Sequence, residues 1–177
     1  MIQLSYFAQE DFTQLMAWIS DEEILMNWSG SLFNFPLTKE SLDWYIEDVN
    51  DINRSDVFIY KAVETATGKV VGHISLGGIS KKNKAARISR VFVAPEYQGK
   101  GYCRQMVSAV LKIGFKELQL HRICLGVYDF NKAAINCYQK AGLIIEGTNR
   151  DCLLFKGNWW SLVEMSMLEE EWRDEAK

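Results

Sequence analysis

Several residue types that mark common protein classes are scarce in this chain. It has two prolines, two histidines and no C-x-x-C pair, and none of its apolar runs approaches the roughly 18 residues of a membrane-spanning helix. So few candidate ligands do not support a zinc site. We therefore predict no metal and no membrane partner. We expect reduced, mostly buried thiols at Cys103, Cys124, Cys137 and Cys152.

An excess of positive charge is also absent. The 20 Lys and Arg residues are outnumbered by 23 Asp and Glu residues, which gives a net charge of −3 and a pI of about 5.5. Proteins that bind nucleic acid non-specifically are usually basic, so we predict no nucleic-acid partner. Residues 1–12 lack the basic segment and apolar run of a secretory signal peptide. We expect a cytoplasmic protein.

The overall composition is typical of a single globular domain. Hydrophobic residues make up 48% of the 177 residues and charged residues 24%. Single cores extend to roughly 250–300 residues, so a chain of this length fits one core and needs no metal or disulfide to fold. The chain has no internal repeat and no linker rich in Pro, Gly or Ser. We predict one domain over residues 1–177.

Hydrophobic periodicity predicts a strand and three helices at the start of the chain. Apolar residues alternate over residues 1–7, which indicates a strand, and recur at helical spacing over residues 12–19. Ser20 and Glu23 form a capping-box pattern that predicts the start of a second helix. Thr38 is the predicted N-cap of a third helix.

The remaining chain is predicted to be mostly strands. We predict strands over residues 57–63, 70–79, 85–93, 122–127, 143–155 and 159–168, and helices over residues 101–118 and 131–142. A turn is predicted at Gly157-Asn158, and a charged tail from Glu169. The order β-α-α-α-β-β-β-α-β-α-β-β predicts an α+β fold. Its central sheet would be mixed and mostly antiparallel, with six to seven strands and helices on its faces.

A glycine-rich turn between a predicted strand and a predicted helix is the main candidate for a binding site. Residues 98–103 are Gln-Gly-Lys-Gly-Tyr-Cys, and the glycines allow a tight turn and close backbone approach to a ligand. Free N–H groups at the start of the next helix favour an anion such as a pyrophosphate. The segment is neither a P-loop nor a full G-x-G-x-x-G, so a simple strand-to-helix turn is the alternative.

The longer segment around this turn resembles a known signature. Residues 91–102 resemble the acyl-CoA signature of the GCN5-related N-acetyltransferase (GNAT) superfamily, in which the consensus is Gln/Arg-x-x-Gly-x-Gly/Ala. Gln98 and Gly101 match this consensus, and Cys103 stands where Gly or Ala is usual.

A second segment extends the resemblance. Residues 131–143 resemble the superfamily block N-x-x-A-x-x-x-Y-x-x-x-G-F, with Leu143 in place of Phe. Glu146-Gly147 follows, as it often does in the branch that acetylates protein N-termini, including those of ribosomal proteins. We lean to that branch.

The resemblance implies how acetyl-CoA would bind. Strands 4 and 5 would splay apart, the backbone beside the splay would bind the pantetheine arm, and the glycine-rich turn would wrap the pyrophosphate. Tyr138 would lie near the thioester sulfur and act as the catalytic acid. The implied cofactor-binding residues are Val91, Phe92, Val93, Gln98, Gly99, Lys100, Gly101, Tyr102, Cys103, Arg104 and Asn131.

The general base is not assigned. The branch that acetylates protein N-termini often has a glutamate five residues before the asparagine of the second block, where this chain has Gly126. His73, Asp129, Asp151 and Glu164 are substitutes, although each is more easily explained as a structural or surface residue. A chain of water molecules could deprotonate the amine instead.

The resemblance implies an acetyl-CoA-dependent N-acetyltransferase in which a primary amine attacks the thioester directly, without a metal. The acceptor would be a small-molecule amine or a protein N-terminus, and a homodimer is left open. The second hypothesis is a non-catalytic acyl-CoA-binding or sensor module. Its support is Gly126, which stands where the branch that acetylates protein N-termini often has a glutamate. Measuring thiol release from acetyl-CoA in the presence of a panel of amines would distinguish the two hypotheses.

Overall fold

The strands and helices follow the order that the periodicity predicts. The computed structural model describes residues 1–172, so the end of the predicted charged tail, residues 173–177, lies outside the described residues. The strands are β1 (Ile2–Tyr6), β2 (Phe58–Glu64), β3 (Val70–Ser80), β4 (Ala85–Val93), β5 (Arg122–Tyr128), β6 (Ile144–Phe155) and β7 (Asn158–Leu168). The α-helices are α1 (Phe12–Trp18), α2 (Glu22–Ser29), α3 (Lys39–Tyr45), α4 (Tyr102–Lys112) and α5 (Lys132–Lys140).

The seven strands form one sheet in the order β1-β2-β3-β4-β5-β7-β6. β4 and β5 are parallel, and α4 makes the crossover that a parallel pair requires. Every other neighbouring pair is antiparallel. The predicted mixed, mostly antiparallel α+β sheet is confirmed.

The parallel pair is short, and the sheet opens beside it. β4 and β5 pair only at Ala85–Arg122, Ala86–Ile123 and Arg87–Cys124 within the described residues. The pairing register between β3 and β4 shifts near Arg90, because β4 has one residue more than β3 over this stretch. Arg90 itself has a φ of +52°. Such a bulge bends a strand and increases its twist. The predicted splay of strands 4 and 5 is present.

Each face of the sheet carries its own hydrophobic cluster. In β2, Phe58 and Tyr60 belong to the cluster that includes Met106 of α4, whereas Ile59 between them belongs to the cluster that includes Trp28 of α2. Burial of one such side chain contributes about 1.5–3 kcal/mol. The two clusters hold α4 and α5 on one face and α1–α3 on the other.

One helix N-cap and one turn each lie one residue away from the position predicted from the sequence. The N-cap of α2 is Asp21, whose Oδ1 accepts the N–H of Ile24 at 2.8 Å, so the predicted Ser20 cap is wrong. Aspartate is at least as good an N-cap as serine, and the carboxylate also interacts with the helix dipole. The β6–β7 turn lies at Lys156-Gly157, because Phe155 pairs with Asn158.

The prediction of reduced, mostly buried cysteines is wrong. Cys103 on α4 and Cys137 on α5 form a disulfide, with Cα atoms 6.5 Å apart. Cys152 is exposed and Cys124 is half-buried, and both are free thiols. The pairing depends on the packing of α4 beside α5, which the spacing of cysteines along the chain does not show.

The described part of the chain, residues 1–172, has no helix long and apolar enough to cross a membrane. It also has no group of three His, Cys, Asp or Glu side chains that could hold a metal ion.

The change of N-cap can be tested with two alanine variants. Asp21→Ala should lower the free energy of unfolding by about 1 kcal/mol, the typical value of an N-cap, because it removes the acceptor for the Ile24 N–H. Ser20→Ala is the matched control and should change stability by less than about 0.5 kcal/mol. Urea denaturation followed by tryptophan fluorescence measures both. If Ser20→Ala lowers the free energy of unfolding more than Asp21→Ala does, Ser20 is the N-cap after all.

Candidate active site

A cleft of about 410 Å³ opens where β4 and β5 separate, a volume within the usual range of small-ligand sites. Residues 87–92 of β4 and 125–128 of β5 line it, together with residues 27–30 at the end of α2. Five of the predicted site residues line the cleft: Val91, Phe92, Gln98, Asn131 and Tyr138. Val93 and residues 99–104 lie outside its lining.

The glycine-rich turn leads from β4 into α4. Gly99 and Gly101 have φ values of +75° and +78°, and Gly101 is the N-cap of α4. A Cβ built at either glycine would meet no described atom within 4 Å, so the left-handed backbone, rather than crowding, favours glycine here. The first N–H groups of a helix have no partner within that helix, which is the geometry on which the anion-site prediction rests.

Most side chains of the turn have partners within the protein. The Tyr102 hydroxyl hydrogen-bonds to the Glu64 carboxylate, and Cys103 is held in the disulfide. The ammonium of Lys100 lies 5.1 Å from the centre of the Tyr97 ring. A ligand at this turn would therefore meet the backbone of Tyr102 and Cys103 rather than their side chains.

Asn131 precedes α5 and Tyr138 lies within it, and both line the cleft. Asn131 is the N-cap, and its Oδ1 accepts the N–H of Ala134 at 3.1 Å. The Tyr138 ring is buried, and its hydroxyl makes no hydrogen bond to residues 1–172. Buried tyrosine hydroxyls usually find a partner, so this one is available to a ligand. Burial raises the pKa of Tyr138, which keeps the hydroxyl protonated.

None of the four candidate bases lines the cleft. His73 is buried, and its Nε2 lies 3.2 Å from the Tyr45 hydroxyl, as expected for a hydrogen-bonded histidine of the sheet. Burial, with a smaller contribution from Arg90, lowers the pKa of His73 to about 3. Asp129 and Asp151 donate their backbone N–H groups to Ser161.

The fourth candidate, Glu164, is held in an ion pair. Both its carboxylate oxygens accept from the guanidinium of Arg87, at 2.9 and 3.0 Å. Gly126 makes room for this pair, because a Cβ there would lie 2.4 Å from Arg87 Nη2. The position where the related branch often has a glutamate is therefore filled by an arginine side chain.

The sequence analysis missed Arg87 and Arg90 as residues of the cleft. Both lie on β4, and both line the cleft. The available signal was their polarity, because charged residues are unusual in a strand at the centre of a sheet. Residues 85–93 contain two arginines among apolar neighbours.

Comparison with known proteins identifies the family. A model of the acetyltransferase (GNAT) domain matches residues 2–144. The chain belongs to the GNAT acetyltransferase family. The resemblance seen in the sequence is confirmed, and it extends over most of the chain.

Curated relatives and solved structures agree with this assignment. The chain is 29% identical over 151 residues to an uncharacterised N-acetyltransferase, YokL, of Bacillus subtilis, covering 85% of this chain and 81% of the relative. It is 28% identical to the spermidine N(1)-acetyltransferase of Vibrio cholerae, covering 65% and 66%. A crystal structure of spermidine N-acetyltransferase from Vibrio cholerae with CoA and spermine shares the fold, with a TM-score of 0.81, 22% identity and 96% coverage of both chains.

This GNAT protein is an acetyl-CoA-dependent N-acetyltransferase, as the sequence predicts, and acetyl-CoA is its acyl donor. Both curated relatives are named N-acetyltransferases, so they do not support the alternative of a non-catalytic acyl-CoA-binding module.

The phosphate-binding assignment of the turn can be tested with one charged variant. Gly101→Glu should weaken CoA binding at least about tenfold, because it adds bulk and negative charge at the positive end of α4. Gly157→Glu is the matched control, since Gly157 has a similar φ of +80° and equally open surroundings in the β6–β7 turn. Isothermal titration calorimetry with CoA measures both. Unchanged affinity in a folded Gly101→Glu variant would remove the assignment.

Proposed function

We propose that the protein acetylates the primary amine of a small molecule, with acetyl-CoA between β4 and β5 and Tyr138 as the general acid. The observation that carries the proposal is Tyr138, which lines the cleft and whose hydroxyl has no hydrogen-bond partner among the described residues. The volume of the cleft suits a small acceptor. One relative is named for a small amine, spermidine, which supports this acceptor class.

Three features would order the acyl donor along the cleft. The start of α4 at Gly101 would bind the pyrophosphate. Residues 91–93 lie beyond the last β4–β5 pair, so their backbone groups can bind the amides of the pantetheine arm. One carbonyl of this segment, that of Val93, accepts the side-chain amide of Gln98 at 3.3 Å. Asn131 uses its amide oxygen as a helix cap, so its NH₂ group is left as a donor.

The reaction needs one proton donor and one oxyanion site. The amine attacks the thioester carbon, a C–N bond forms, and the carbonyl electron pair moves to oxygen, where a backbone N–H of β4 would stabilise it. Collapse of this intermediate breaks the C–S bond, and Tyr138 protonates the departing sulfur, whose thiol pKa is about 8.5. The amine nitrogen loses its extra proton to water, through which Tyr138 is reprotonated.

The acid role predicts the effect of removing one oxygen. Tyr138→Phe keeps the ring, so cofactor binding and folding should change little. The kcat should fall roughly 10²- to 10⁴-fold, the usual contribution of general acid catalysis. The KM for acetyl-CoA should stay within a few-fold, because the lost interaction acts mainly in the transition state. Steady-state kinetics with a thiol reagent measures both.

Tyr60→Phe is the control for this variant. Tyr60 is equally buried and its pKa is also raised by burial, but it does not line the cleft. Removal of the Tyr60 hydroxyl should leave kcat near normal. If Tyr138→Phe behaves like Tyr60→Phe while chemistry limits turnover, Tyr138 is not the acid.

The cleft contains no carboxylate and no histidine among the described residues that line it. An alkyl ammonium has a pKa near 10 and must lose a proton before it attacks. The acceptor therefore has to enter as the free amine or lose its proton to water.

This leads to a pH dependence governed by the acceptor itself. The kcat/KM should rise about tenfold per pH unit between roughly pH 6 and 9, with its only bend at the pKa of the amine. A second acceptor with an ammonium pKa about two units lower should move the bend by the same amount. An additional bend near pH 6–7 that does not move with the acceptor would show a protein base.

Several finer predictions from the sequence are carried forward with this proposal. A protein N-terminus is the second acceptor class, in line with the lean to the branch that acts on ribosomal proteins. The homodimer and the cytoplasmic location stay predictions.

A further inference from the structure

The charges that line the cleft are all of one sign. Arg87 and Arg90 are the charged residues of its lining, and within residues 1–172 no Asp or Glu contributes to it. Both arginines lie on β4 before the segment proposed to bind the pantetheine arm. Together with the end of α2, they line the cleft. An acyl donor bound along residues 91–93 would leave this part of the cleft to the acceptor.

The two arginines differ in how their charge is balanced. The charge of Arg87 is neutralised by the two-point ion pair with Glu164, at 2.9 and 3.0 Å. Arg90 has no carboxylate partner among the described residues. Its hydrogen bonds are made by Nη1, to the hydroxyls of Ser89 at 3.0 Å and Ser75 at 3.5 Å. Hydroxyl groups do not neutralise a guanidinium, so Arg90 supplies the net charge of the cleft.

Arg90 is held in place from several sides. Its carbonyl accepts the indole N–H of Trp28 at 3.0 Å, and its guanidinium lies 5.1 Å from the centre of the Tyr45 ring. Its Nε is buried without a hydrogen-bond partner in the described structure. A half-buried cation without a counter-charge is costly in free energy unless a ligand supplies one. The fold therefore keeps a preformed positive site beside the acceptor space.

The acceptor that fits this site combines an amine with an anion. We propose that the acceptor amine carries a carboxylate or phosphate group and that Arg90 binds this anionic group. The inference rests on the proposed function. A guanidinium binds both kinds of anion through paired N–H donors, and a positive cleft disfavours an acceptor with several ammonium groups. Polyamines such as spermidine should therefore be poor acceptors of this protein.

The rest of the acceptor space indicates the body of the molecule. Trp28, Phe92, Tyr128 and Leu162 line the cleft and offer aromatic and aliphatic surface. An amine with an apolar body and a single anionic group, such as an aromatic amino acid, matches this lining better than a purely polar one.

Matched acceptor pairs test the proposal in the wild-type protein. Phenylalanine is compared with phenylalaninamide and phenethylamine, phosphoethanolamine with ethanolamine, and spermidine is added as the polycation. With saturating acetyl-CoA and kcat/KM expressed per free amine, the anionic member of at least one pair should exceed its partner without the anion by roughly 10- to 100-fold, the range expected for a hydrogen bond to a charged group. The pair that shows the preference distinguishes a carboxylate from a phosphate.

Variants then assign the preference to one residue. Arg90→Gln should abolish the preference, and Arg90→Lys should retain part of it. Arg122→Gln is the matched control, because Arg122 pairs with Glu146 and does not line the cleft, so it should keep the preference.

The outcomes separate this inference from the proposed function. A higher kcat/KM per free amine with spermidine or with the partners that lack the anion overturns the inference and leaves the N-acetyltransferase assignment in place. A preference for the anionic member that persists in folded Arg90→Gln also overturns it. If the protein binds CoA but acetylates no amine of the panel, the proposed small-molecule function fails, and the inference fails with it.

Discussion

The early end of the pairing between β4 and β5 is the constraint on which the active site depends. After Arg87 and Cys124 the strands separate, so backbone groups of a central strand lose their neighbour. Buried backbone N–H and C=O groups are rarely left unpaired, and a ligand that contains amides can take the place of the missing strand. The bulge at Arg90 lies on β4 in the part of the strand that lines the cleft. The separation thus forms the cleft and determines which residues line it.

Periodicity was sufficient to predict the order of elements, because strands and helices bury their apolar residues with different repeats. The motifs named Asn131, Tyr138, Val91 and Phe92 as site residues, and all four line the cleft. They could not show that the guanidinium of Arg87 would reach Glu164, because that contact joins β4 to β7 across β5. The same limit applies to the disulfide, which depends on how α4 packs against α5 and not on spacing along the chain.

Net charge and local charge have opposite signs in this protein. The chain carries a net charge of −3, yet the glycine-rich turn at the start of α4 and the cleft both present positive charge. A cleft with low-dielectric walls strengthens its local field, so the surface average says little about the ligand. For the acyl donor, the positive end of α4 at this turn would match the proposed pyrophosphate site. For the acceptor, the positive cleft favours the free amine over the ammonium, which is the form that reacts.

The absence of a carboxylate from the cleft, as lined by the described residues, is connected with Gly126. A side chain at that position would collide with Arg87 Nη2 and with Leu162, so glycine is what allows Arg87 to reach Glu164 across β5. The ion pair occupies Glu164, the acidic residue that lies opposite Gly126 on β7, and both its oxygens are committed to the guanidinium. No carboxylate of the described chain is then left to face the cleft, either to accept a proton from the amine or to balance Arg90. In the proposed mechanism, proton removal therefore falls to the solvent, and an anionic acceptor would supply the negative charge that balances Arg90.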